Sequence, residues 1–132
     1  MSQTILVVDA EVLVRMTIST YLRDCGYRVV EAADADEAMV VVSQPELPID
    51  AVLAHMDLPG PMDGFALARW IREHRAELNV LLAGTAARAA ERAAELCDKG
   101  PHLARPYEPQ VVVDRIRRLL AERDRLGDAA AN

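Results

Sequence analysis

The chain has 132 residues, slightly more than half of them apolar and about a quarter charged, which suits one globular domain with a buried core and excludes a disordered or low-complexity chain. Its net charge of -6 speaks against a broad nucleic-acid surface and fits a soluble cytoplasmic protein. The N-terminus MSQTILVVDAE has no basic leader, and its apolar run is too short for a signal peptide or a membrane span.

Ile5 to Val8 is a short β-branched run ended by a polar break, the pattern of a strand buried on both faces. From Glu11 to Cys25 the period changes: Val14, Ile18, Tyr21, Leu22 and Cys25 place one apolar stripe on a helix, which Gly26 stops as a left-handed cap. Tyr27 to Val30 reads as a second strand. Asp34 caps a helix from Ala35 to about Ser43, with Glu37 completing a capping-box-like pair, and Pro45 and Pro48 close the unit. Ile49 to Ala54 is the third strand, Phe65 to His74 the third helix and Val80 to Ala83 the fourth strand. An alanine-rich helix covers about Ala87 to Cys97, and a short strand is expected at His102 to Ala104. The last helix starts at Pro109, a residue suited to a first turn, and buries Val112, Ile116, Leu119 and Leu120 up to about Arg123. The domain thus covers residues 1–122, and residues 123–132 are expected to fray as a tail.

Strands alternating with helices predict an α/β, doubly wound five-stranded parallel sheet with five helices, in the flavodoxin-like order 2-1-3-4-5. Ligands in such sheets sit beyond the carboxyl ends of the strands. There the chain places Asp9, Ala10 and Glu11, then His55, Met56 and Asp57, then Gly84 and Thr85, and finally Arg105 and Pro106. Cys25 and Cys97 show no metal-like spacing, and Cys25 reads as a small buried thiol without a disulfide or zinc partner. The methionines show no metal-binding rhythm and read as core or loop filler.

The blocks VVDAE, HMDLPGPMDG, VLLAGT and LARPY resemble, in order and spacing, the receiver domain of response regulators (the CheY-like superfamily), and the likeness runs from Ile5 to about Leu120. The resemblance implies two acids after the first strand, a phospho-accepting Asp after the third, a hydroxyl after the fourth, and a Lys before Pro after the fifth, working with Mg²⁺. Here Asp9 matches the first acid and Ala10 stands for the second. His55 stands at the acceptor position, Gly84 at the hydroxyl position with Thr85 one residue late, His102 at the switch aromatic and Arg105 at the lysine. The frame residues Pro59, Gly60, Asp63, Gly64 and Pro106 are present, and a cis peptide is expected before Pro106. The chain therefore resembles a degenerate pseudo-receiver in bacterial two-component phosphorelay signalling, with no enzymatic activity and weak or absent Mg²⁺ binding.

His55 reads as an imidazole held by Asp9 or Asp57, and Arg105 as an ion-pair partner of Asp9. The alternatives are a non-standard phosphoacceptor, Asp57 or His55, working with Mg²⁺, and an anion or nucleotide site between His55 and Arg105. A flavodoxin-like flavin carrier is disfavoured, because no Ser/Thr/Gly-rich loop follows the first strand and aromatic residues are few. A stand-alone receiver acts by protein contact, so the resemblance implies a histidine kinase, phosphotransfer protein or other signalling partner. The contacts would be Leu13 and Val14 on the first helix, and Arg88, Arg92, His102 and Tyr107 on the face of the fourth helix, fifth strand and fifth helix, which also suits a homodimer. Nucleic acid and membrane are not expected partners.

Overall fold

The computed structural model describes residues 3–99 and 108–131. Thr4–Val8 (β1) is buried at every position, as a central parallel strand covered on both faces must be. Val12–Asp24 (α1) follows, and Gly26 adopts φ +102°, the left-handed conformation that turns the chain into Arg28–Ala32 (β2). Asp34 accepts from the Glu37 amide and so caps Ala35–Val42 (α2). The Glu37 carboxylate reaches back to the amide of Ala33, one residue before the cap. Ala51–His55 (β3), Gly64–His74 (α3), Asn79–Ala83 (β4), Ala86–Lys99 (α4) and Pro109–Ala131 (α5) complete the elements of the described residues. Asp63 caps α3 through the amide of Ala66. Helix α5 continues past Arg123, where the apolar pattern places its end.

All the strand pairings are parallel, in the order β2-β1-β3-β4. This corrects the expected sheet: among the described residues it has four strands and not five in the order 2-1-3-4-5. The fifth strand was expected at 102–104, which lie outside the described residues. The sequence support there was thin, since His102–Ala104 holds one large apolar residue, Leu103, and no β-branched one. The chain leaves β1 toward β2 and later returns to the other side of β1 with β3. The ends of β1 and β3 therefore flank the point where winding reverses, the natural crevice of such a sheet.

Alternating strand residues feed two cores. Leu6, Val8, Val52 and Ala54 pack with α2 and α3 through Ala38, Val42, Leu67 and Ile71. On the opposite face, Ile5, Val7, Ala51 and Leu53 pack with α1, α4 and α5 through Ile18, Leu22, Ala90, Ala93, Val112 and Ile116. This second core holds a further correction. Cys25 is buried, but it is not a free thiol: it is bonded to Cys97, with the Cα atoms 5.5 Å apart. The end of α1 and the end of α4 meet on one side of the sheet, which no spacing in the sequence discloses. Beside the bond, the Tyr27 hydroxyl donates to the Leu96 carbonyl, and burial pushes the phenol above its ordinary pKa, so it stays a donor.

Candidate functional site

Asp9 follows β1, and His55 ends the neighbouring β3. Asp9 is only 6% exposed. Its Oδ1 accepts from the Glu11 amide at 2.9 Å, and its own amide donates to the Ala32 carbonyl at 3.0 Å. Burial pushes the Asp9 carboxyl above the ordinary carboxylate value. The Glu11 amide, the His55 ring and Arg15 pull it back, while the Glu11 carboxylate adds to the rise.

His55 is half-buried, and its Nδ1 accepts from the Asp57 amide at 3.0 Å. That bond occupies the Nδ1 lone pair, so a neutral ring carries its proton on Nε2. The partner is thus the backbone of Asp57; its carboxylate belongs to an exposed turn residue. Next in the chain, Met56 donates to the Ala83 carbonyl and accepts from the Gly64 amide at 2.8 Å. This loop lies so close to the start of α3 that a Cβ on Gly64 would run into the His55 carbonyl, so only glycine fits there. A Cβ on Gly84 would stand 3.2 Å from the Met56 sulfur. The methionine thioether fills the space a larger residue at position 84 would need.

Thr85 is exposed, and its hydroxyl accepts from the Arg88 amide at 3.1 Å, while its carbonyl takes the Ala89 amide. It caps α4. Glu11 caps α1 without a side-chain bond and instead receives Arg123 from α5 at 2.7 Å. Two residues at the site escaped sequence reasoning. Arg15 donates to the Asp9 carbonyl at 2.8 Å and to Glu31 at 3.1 Å, placing a cation at the crevice. Met56 was read as filler. A basic residue one turn after Glu11, beside the α1 apolar stripe, was the available signal for Arg15; nothing marked Met56. The cavity lined by Asp9, Arg15, His55, Ala83 and Ala89 measures about 10 Å³, room for one water at most.

Of the surface candidates, Leu13 is half-buried and Arg88 exposed, and Arg88 and Arg92 pair within α4 with Glu91 and Glu95. Val14 is corrected: at 6% exposed it belongs to the core, because it lies on the face α1 turns to the sheet. His102, Arg105, Pro106 and Tyr107 lie outside the described residues, and with them the expected Asp9–Arg105 pair and the cis peptide.

Residues 5–117 match the family described as response regulator receiver domain. The chain belongs to that family. This receiver is 31% identical over 116 residues to the transcriptional regulatory protein ResD of Bacillus subtilis, covering 88% of the chain and 47% of ResD. It is 29% identical over 123 residues to the aerobic respiration control protein ArcA of Escherichia coli, covering 93% and 50%. The receiver thus spans about half the length of these curated relatives. Among solved structures, a CheY-like receiver domain protein from Methanospirillum hungatei matches with TM-score 0.60 and 20% identity, over 95% of this chain and 98% of that one. NtrX from Brucella abortus matches at 0.59 and 26%, over 99% of this chain and 29% of that one. No helix among the described residues is long and apolar enough to cross a membrane.

Proposed function

We propose that this receiver signals by protein–protein contact without phosphorylation at the end of β3. The observation that carries the reading is His55: an imidazole ends the strand where the family's pattern calls for a carboxylate nucleophile, and its Nδ1 is tied to the Asp57 amide. A displacement at phosphorus needs a nucleophile, a metal to neutralise the moving charge and groups to receive the product. Beside His55 stand one buried carboxylate, Asp9, with one oxygen already accepting a bond, and Ala10, which offers no ligand. Mg²⁺ takes an octahedron of oxygens, so this donor set does not suit it. Gly84 supplies no hydroxyl, and the Thr85 hydroxyl is engaged in capping α4.

On this reading the protein is a cytoplasmic binding module and not an enzyme, holding one conformation in place of two exchanged by phosphate. Its partner is a histidine kinase, a phosphotransfer protein or another signalling protein. Intact-mass measurement after incubation with acetyl phosphate and Mg²⁺ tests it. The expected result is an unmodified chain. Stoichiometric gain of one phosphoryl group, on His55, Asp57 or any other residue, overturns the reading.

A further inference from the structure

We propose that Cys25 and Cys97 form a reversible thiol–disulfide site that controls how firmly α4 is held against α1. The bond joins the cap of α1 to the end of α4 across a sequence separation of 72, and both residues are buried, at 0% and 3% exposure. The composition of α4 is what gives the bond its leverage. Its buried side chains besides Cys97 are Ala89, Ala90, Ala93, Ala94 and Leu96. An alanine methyl removes far less apolar surface from water than a leucine or valine side chain, so each of these contacts contributes little and the disulfide is a large share of what fixes this end of the helix. The Arg88–Glu91 and Arg92–Glu95 pairs run within α4. The Tyr27–Leu96 hydrogen bond braces the same spot as the disulfide.

The chemistry is a two-electron exchange. A thiolate of an external dithiol attacks one sulfur, the Cys25–Cys97 bond breaks, and a mixed disulfide forms. The second thiol of the reductant then displaces the protein sulfur, leaving two protonated cysteines and the reductant as its cyclic disulfide. Because both sulfurs are buried, attack follows local opening at the end of α4. Reduction loosens α4 and uncovers Val112 and Ile116 of α5 together with Ile18 and Leu22 of α1, all packed in the same core. The proposal does not depend on the phosphorylation-free reading.

The test uses the full chain, held with oxidised glutathione or reduced with dithiothreitol. Alkylation under denaturing conditions counts thiols by mass, and hydrogen exchange reports protection. The oxidised form is expected to take no alkyl group and the reduced form two. After reduction, amides in α4 and in the first turns of α5 should exchange faster by about tenfold or more, while β1 and β3 keep their protection. Cys97→Ser should show fast exchange with or without dithiothreitol, and reoxidation of the native chain should restore slow exchange. Two alkylatable thiols in the glutathione-treated protein, or equal exchange in its two states, overturns the proposal even if the serine variant does not fold.

Discussion

Asp9 must hold a carboxylate where burial resists charge. Its folded-state pKa is raised, chiefly by desolvation, so its contribution to stability is fully present below its ordinary pKa and is lost as pH rises through the folded value. Asp9→Asn keeps an oxygen for the Glu11 amide and removes the charge. The variant should therefore be more stable than the parent at neutral pH, with the gap closing in acid, as urea unfolding at several pH values would measure. Equal stability at neutral pH would show that Arg15 and His55 fully compensate the burial. His55→Asp places a carboxylate at the end of β3 but leaves Ala10, Gly84 and the Met56 thioether in place. This single variant should label weakly or not at all with acetyl phosphate and Mg²⁺, read by intact mass; rapid, stable labelling would mean that the residues at positions 10 and 84 matter little. Asp9 and His55 were legible in the sequence because strand ends can be read from apolar runs. Arg15 and Met56 were not, since what they touch comes from other strands, in the Glu31 and Gly84 neighbourhoods.

Among the elements, α4 packs against α1 and α5 largely through alanine side chains, and Thr85 is its cap. Thr85→Ala should cost about 1 kcal/mol in urea unfolding, with the loss of exchange protection concentrated in α4; a change under a few tenths of that would mean water replaces the cap without penalty. Chain-entropy arguments assign the Cys25–Cys97 closure on the order of 4 kcal/mol, several times the cap. The helices were legible as elements because their periodicity and caps are local: Asp34, Asp63 and Gly26 each act within a few residues of themselves. The pairing of the two cysteines was not, because it depends on which face of the sheet α4 takes. The strand expected at 102–104 rested on one large apolar residue, Leu103, and lies outside the described residues.

For the whole molecule, the exposed edge of α4 is the surface where the proposed contact function can be tried. Arg88→Glu with Arg92→Glu places like charges beside Glu91 and Glu95 on the outward side of α4, at a cost of roughly 0.5 kcal/mol per pair, small enough for the fold to survive. Capture from native extract should then lose partners that the parent chain retains, with circular dichroism confirming the helix content. Identical partner sets for the two proteins would remove this face from consideration.

Residue by residue, the amino-acid sequence determined the strand–helix alternation, the position of the crevice at the strand ends and the unusual occupants of that crevice, because each is a short-range consequence of periodicity, capping and spacing. Tertiary structure alone decided that α4 shares a core with α1 and α5, that two distant cysteines meet there, and that Met56 closes the space beside Gly84. Those outcomes turn on which apolar faces find one another when the sheet is covered, a choice made by the whole packed molecule.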